Sequence, residues 1–284
     1  MATPVLVPAR EATLPEEMYL ELLKRALIRA LVAESFERHT FQPTRPLFKS
    51  LYAGMKRLLA LRSLELVRVT PSTADGYLES GHEAKNRVET AETMIGLRQL
   101  DNLEFCAQDV LRNNVPGDFL EAGVWRGGVP IFMRGILKAY KDEQWCVWVV
   151  DSFEGLPGPD PGKDSFGWTA GEMAVSIQEV KQNFARYSLL DDKVKFVKGF
   201  FKDTLPGPIT RLSILRVDAD LYESTIDVLN ALYSKLSVGG YAIFDDYQNL
   251  PDCRRAIHEY RELHGVHHPI VPIDRRAVYW QKTC

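Results

Sequence analysis

The 284 residues include no apolar run long enough to cross a bilayer, which argues against a helical membrane span. The opening, Met1-Ala-Thr-Pro-Val5, has neither the basic stretch nor the apolar core of a secretion signal, so a cytoplasmic protein is expected. Cysteine is sparse. Cys106, Cys146, Cys253 and Cys284 are scattered without any C-x-x-C spacing, which excludes a disulfide frame or a cysteine zinc site; Cys106 and Cys146 read as small buried thiols. Neither sign of charge dominates, with 35 Lys and Arg against 38 Asp and Glu, so the electrostatic footprint of a nucleic-acid binder is missing. Also absent are internal repeats, low-complexity tracts and the G-x-G-x-x-G dinucleotide fingerprint. His264 and His267 lack acidic or cysteine partners at ligand spacing, so these two, with His258 and His268, are read as surface or hairpin positions; His39 carries no signal.

What is present falls into two textures. Residues 1–100 read as a helical extension and acceptor lid, and 101–284 as the main domain. Thr13-Leu-Pro-Glu16 has the form of a capping box, followed by Tyr19, Leu22, Leu23, Ala26, Leu27, Ala30 and Leu31 at helical spacing. After Pro43 and Pro46, a second amphipathic run from Leu47 to Val69 carries Lys49, Lys56, Arg57, Arg62 and Arg68. It reads as a helix packed on the core or on a second subunit rather than on a membrane. Residues Val69–Val88 mix Pro, Ser, Gly and charges as a loop or lid would.

From Val115 onward, strands and helices alternate. Asp118–Glu121, Trp145–Val150, Val194–Val197, Leu212–Val217 and Gly240–Phe244 are apolar runs of strand length. A helix is expected over Val129–Tyr140, and His268–Ile273 with Ala277–Gln281 reads as a terminal hairpin. The succession predicts an α/β fold with a doubly wound, mostly parallel sheet and an antiparallel edge.

Two of these runs end in aspartates, in Val217-Asp-Ala-Asp-Leu-Tyr222 and Phe244-Asp-Asp-Tyr247. In open α/β sheets ligands bind just past the carboxyl ends of strands, so Asp218, Asp220, Asp245 and Asp246 are expected at one site. Like charges that close raise one another's pKa unless something positive intervenes, and a hard divalent cation such as Mg²⁺ is the simplest remedy. Asp218, Asp245 and Asp246 are expected to hold it, leaving Asp220 as general base. The other half of the site starts at Glu121-Ala-Gly123-Val-Trp-Arg-Gly127-Gly128, a glycine-rich turn from strand to helix whose acid suits a cationic ligand better than a pyrophosphate. Asp151, ending the next strand, is placed to bond a ribose diol. Together these suit a nucleoside-bearing ligand without a phosphate site, and S-adenosylmethionine has that chemistry.

At this point the sequence resembles the macrocin O-methyltransferase family, metal-dependent enzymes that methylate sugar hydroxyls on antibiotics. The resemblance rests on Thr93-Met-Ile-Gly96 with Leu100-Asp-Asn-Leu103, the Glu121–Gly128 turn, Asp151-Ser-Phe-Glu-Gly-Leu-Pro157, Val175-Ser-Ile-Gln-Glu-Val180 with Asn183-Phe184, and Phe201-Lys-Asp-Thr-Leu-Pro206. Arg216–Thr225, Phe244-Asp-Asp-Tyr247 and Val278-Tyr-Trp280 complete it, so it runs from about Thr90 to the end. It implies a Rossmann-like class I methyltransferase sheet, Mg²⁺ on Asp218, Asp245 and Asp246, and Asp220 as the base. It also implies a cofactor shell of Met94, Glu121, Gly123, Asp151, Ser152, Phe153, Ser176 and Phe201, and a homo-oligomer. His82 in the lid, with Tyr222 and Tyr247 beside the aspartates, are candidates for acceptor contacts. The departures are Ala219 where glycine is usual, Ala122 where threonine is usual, and a divergent Gly81–Val88.

The expected function is therefore Mg²⁺-dependent transfer of a methyl group from S-adenosylmethionine to a sugar hydroxyl of a small-molecule natural product. The same reaction on a phenol or catechol of an aglycone is the alternative. A nucleotide-dependent oxidoreductase is disfavoured by the glycine pattern. A non-catalytic binding protein is disfavoured by the retained aspartates, since clustered charge is costly to keep.

Overall fold

A computed structural model describes residues 14–31, 36–40, 67–71 and 90–283, together with Met55. Helix α1 (Pro15–Leu27) starts one residue later than the capping box predicts. Leu14 is the N-cap, and its N–H donates to the Glu17 carboxylate at 3.3 Å, while Pro15 takes the first helical position, where its missing N–H costs nothing. Strands β1 (Phe36–Thr40) and β2 (Val67–Pro71) follow, paired antiparallel as a separate ribbon. The expectation that the N-terminal extension is helical, with a run from Leu47 to Val69 and a loop from Val69, is thereby corrected at 36–40 and 67–71: Val67-Arg-Val-Thr alternates apolar and polar side chains with a strand's period of two. The rest of the basic run from Leu47, apart from Met55, lies outside the described residues, as does lid segment 72–88 with His82.

After α2 (Leu97–Arg112) the expected alternation appears. In order come β3 (Asp118–Ala122), α3 (Gly128–Ala139), β4 (Val147–Asp151), α4 (Ile177–Arg186), β5 (Val194–Lys198) and the short α5 (Phe201–Thr204). Then follow β6 (Leu212–Val217), α6 (Tyr222–Leu232), β7 (Leu236–Phe244), α7 (Pro251–Leu263) and a hairpin of β8 (Val271–Pro272) and β9 (Val278–Gln281). The sheet order is β5-β4-β3-β6-β7-β9-β8, parallel up to β7, with β9 antiparallel to β7. This is the doubly wound sheet with an antiparallel edge that the sequence pattern predicts.

Strand alternation explains the two layers. Successive side chains point to opposite faces, so Phe119, Val147, Val149 and Ile214 enter one apolar cluster, and Leu120, Val150, Leu215 and Val217 the other. The first cluster takes in α2, α3 and α4, and it also includes Leu20, Leu23, Leu27 and Ile28, so α1 shares a core with the main domain. Gly135 of α3 makes room for α1, since a Cβ there would come within 2.3 Å of Leu23. The second cluster lies under α6 and α7. Cys106 and Cys253 are buried thiols, while Cys146 is only half-buried. Among the described residues no helix is long and apolar enough to cross a membrane.

The chain leaves β3 toward β4 and β5, then returns to β6 on β3's other side. This puts the topological switch point, and the crevice it opens, between the carboxyl ends of β3 and β6. Across that junction Glu121 and Arg216 are register partners. Both are buried, and the guanidinium bonds the carboxylate. Removing one partner of a buried pair leaves an uncompensated charge. Arg216→Met is therefore expected to lower unfolding free energy by about 3–5 kcal/mol, read from the denaturation midpoint. A loss under about 1 kcal/mol would show that the pair does not hold the junction.

Candidate active site

Strands β6 and β7 are parallel neighbours with Val217 opposite Phe244, so both acidic clusters emerge side by side. The strands stop there, but Asp218 N–H still donates to Ala122 O at 2.9 Å and Asp245 N–H to Val217 O at 3.1 Å. These bonds carry the ladder one residue further and fix where the aspartates start. Asp220 adopts φ +57°, a left-handed conformation that aspartate tolerates better than most residues, and its N–H donates to Asp246 Oδ2 at 3.3 Å. Ala219 needs no such conformation. As a result one carboxylate oxygen each of Asp218, Asp220 and Asp246 lie within 4.8 Å of one another.

Two cations temper this charge. Arg216 donates to Glu121, to Asp218 Oδ2 at 3.0 Å, to Asp245 Oδ1 at 2.8 Å and to Gln99 Oε1 at 3.2 Å. Arg276, from the turn between β8 and β9, reaches Asp246 Oδ1 at 3.1 Å and Asp245 Oδ2 at 3.4 Å. Asp245 thus has both oxygens on arginines. The two guanidiniums meet Glu121, Asp218, Asp245 and Asp246, and with Asp220 beside them the carboxyl groups outnumber the cations. Burial, and then repulsion by Asp245, pushes the Asp218 and Asp246 carboxyls up; burial with Asp246 and Asp245 does the same to Asp220. Burial raises Glu121 to about 8 despite Arg216.

A cleft of about 360 Å³ opens at the switch point, lined among others by Met94, Gly123, Asp151, Ser152, Phe201, Asp218 and Asp220. Gly123 is obligatory there. It has φ +84°, and any Cβ would come within 1.7 Å of the Asp218 carbonyl oxygen, so the two loops touch backbone to backbone. Asp151 accepts from Val124 N–H at 2.8 Å and Phe153 N–H at 2.7 Å, which ties the glycine-rich turn to the end of β4; burial raises its pKa. A second cavity of about 280 Å³ adjoins the first, lined by residues including Gln99, Phe166, Trp168, Asp245, Asn249 and Arg276. Met94, Met173, Asp218 and Asp220 line both cavities.

Other expected site residues stand apart from these cavities. Glu121 lies behind the cleft as the partner of Arg216. Phe153 is buried against Phe196, and Ser176 is an exposed N-cap of α4 that accepts from Glu179 N–H at 3.2 Å. Tyr222 bonds Glu259, and Tyr247 bonds His258 Nε2 at 2.7 Å; neither lines a cavity. Sequence reasoning missed both arginines. Arg216 had left a signal, since a charge inside a run otherwise fit for a buried strand must meet counter-charges. Arg276, in a hairpin turn, left none. His264 and His267 are exposed as expected, whereas His268 is buried and bonds Thr283 Oγ1 at 3.1 Å.

The profile of the Macrocin-O-methyltransferase (TylF) family matches residues 16–282. The chain is 48% identical over 217 residues to the demethyldecarbamoylnovobiocin O-methyltransferase of Streptomyces niveus, covering 72% of this chain and 81% of the relative. It is 50% identical over 202 residues to the 8-demethyl-8-(2,3-dimethoxy-alpha-L-rhamnosyl)-tetracenomycin-C 4'-O-methyltransferase of Streptomyces olivaceus, covering 68% and 76%. The solved structure of the O-methyltransferase NovP superposes with a TM-score of 0.74 at 39% identity, over 95% of this chain and 100% of the other. A match of this span and these identities places the chain in the macrocin O-methyltransferase family, as an O-methyltransferase on the class I methyltransferase fold.

Proposed function

We propose that this enzyme moves a methyl group from S-adenosylmethionine to a hydroxyl of a sugar carried by a natural product, with Mg²⁺ or a similar cation at the aspartates. The observation that carries the reading is the seam between two cavities: Asp218 and Asp220 border both, so a donor in the larger would meet an acceptor in the smaller beside carboxylates. The relative named for a rhamnosyl tetracenomycin supports a sugar acceptor.

The larger cleft suits the donor. Its lining includes Asp151, Asp160, Asp164, Glu172 and Asp218, with Lys202 as its lone basic residue among those described, so it would repel a pyrophosphate and favour a sulfonium and an ammonium. Asp151 oxygens already accept backbone N–H groups, yet a carboxylate has about four lone-pair sites, which leaves capacity for a ribose hydroxyl. Met94, Leu156 and Phe201 supply apolar wall for a base.

The aspartates suit a hard cation by donor type and by their unmatched charge. Asp218 and Asp246 would hold it, with Asp245 turning an oxygen to it from the long Arg276 contact. When bound, S-adenosylmethionine supplies an electrophilic methyl and the cation a Lewis-acid contact for the acceptor oxygen. The protein's part is placement and proton transfer. Gly123 lets the turn come close to the Asp218 loop, Met94 and Met173 help exclude water at the seam, and the Asp220 carboxylate takes the hydroxyl proton as that oxygen gains the methyl.

Chelation by EDTA is expected to cut methyl transfer by at least about 100-fold and added Mg²⁺ to restore it, while S-adenosylhomocysteine affinity changes less than about threefold. Full activity in metal-free buffer would sink the metal assignment. For Asp220→Asn, turnover should fall by about 10²–10⁴-fold with acceptor KM little changed, read by product mass. An unchanged rate would move the base role elsewhere.

A further inference from the structure

Between β4 and α4 the chain makes a long loop whose ends are clasped. Leu156 N–H donates to Glu172 O at 2.9 Å, and Gly171 N–H returns to Leu156 O at 2.9 Å. Compact loops with adjoining ends of this kind are frequently functional. This one is also fastened outward. Tyr222 N–H at the start of α6 donates to Asp164 Oδ1 at 2.8 Å. Ser165 donates to Asp252 Oδ2 in the first turn of α7 twice, through N–H and Oγ, both at 2.7 Å. The segment just beyond Ser165 is therefore presented from a fixed base.

That segment carries Phe166 and Trp168, whose rings lie 4.8 Å apart at 42°, and both line the smaller cavity together with Asp218 and Asp220. Phe166 is 52% exposed, so it does not fill a core. Trp168 Nε1–H is buried with no acceptor. Other indoles of this chain behave differently: Trp148 Nε1–H donates to Asp118 at 2.7 Å and Trp280 Nε1–H to Tyr233 at 3.0 Å. A buried donor without a partner is rare because it has given up water for nothing. Arg276 Nε, on a second residue lining the same cavity, is also buried without an acceptor. The cavity thus pairs an aromatic wall with two donors that lack oxygens.

We propose that Phe166 and Trp168 are the acceptor-recognition wall, an inference that rests on the sugar-acceptor reading above. A pyranose ring lays its apolar C–H face on the aromatic pair, and one of its oxygens accepts from Trp168 Nε1–H. Arg276 Nε–H takes a second oxygen. A ring with oxygens around its edge and carbon on its faces meets both requirements, whereas a purely apolar ligand leaves both donors unsatisfied. Trp168 is on this account a specificity-determining residue and has no part in binding the methyl donor, since it does not line the larger cleft.

The test uses the full chain with S-adenosylmethionine and Mg²⁺, and takes as acceptors demethyldecarbamoylnovobiocin and the dimethoxyrhamnosyl tetracenomycin, each beside its aglycone. Trp168→Phe keeps the wall and loses the donor; it should raise glycoside KM about tenfold with kcat within about threefold. Trp168→Ala loses both and should raise KM about 100-fold. S-adenosylhomocysteine affinity should stay at the wild-type value in both, which a general loosening of the fold would not allow. Wild-type glycoside KM in Trp168→Phe, or a loss of S-adenosylhomocysteine affinity that parallels KM, would overturn the role given to Trp168 while leaving the methyltransferase reading intact. Transfer by the wild type to the aglycones alone would overturn the sugar wall. Transfer to none of the four would instead overturn the acceptor reading beneath it.

Discussion

The arrangement depends on one buried guanidinium. Arg216 sits in the middle of the sheet at the strand junction where the chain reverses direction, and it carries Glu121, Asp218, Asp245 and Gln99 from four different segments. Burial alone would weaken its hold on the proton, but Glu121, Asp218 and Asp245 tighten it, so this cation stays charged. Without it the ends of β3, β6 and β7 would bring buried carboxylates together with only Arg276, on Asp245 and Asp246, to offset them. It does not neutralise the group. Asp220 and Asp246 lie beyond its reach, and Asp246 is met instead by Arg276.

The two cavities follow from the same junction. The left-handed turn at Asp220 directs the chain away from the end of β6 and places its carboxylate between them, while Asp218 borders both from the ladder side. The clasped loop after β4 walls the larger cavity with Leu156 and Glu172 and the smaller with Phe166 and Trp168. One loop therefore walls both cavities.

The fold was legible because its signals are local. Strand-length apolar runs alternating with amphipathic helices specify a doubly wound sheet, and the aspartates at two strand ends mark the edge of the sheet at which its crevice opens. The site was legible only as far as its anions. A carboxylate announces itself by its position after an apolar run, but the partner that answers it comes from wherever the topology brings it, as Gln99 and Arg276 do from opposite ends of the domain. Glu121 depends on topology in the same way. The register of β3 on β6 turns one of its oxygens to Arg216, while Oε2 is buried without a partner. Likewise the short β1–β2 ribbon was hidden by lysines and arginines whose helical spacing outweighed a few alternating residues. Trp168 lies in a loop, where no periodicity says which way a side chain faces.

Helix α1 is joined to the main domain by polar contacts as well as by packing. Glu92 N–H donates to Leu27 O at 3.1 Å, and Arg29 donates to the Glu92 carboxylate at 2.5 Å and to Thr90 O at 3.1 Å. Arg29 and Thr90, 61 positions apart in sequence, thus meet at one join. Because Leu20, Leu23, Leu27 and Ile28 also enter the apolar cluster beneath α2, α3 and α4, a change that loosened this join would be felt in the packing against the sheet as well as in α1.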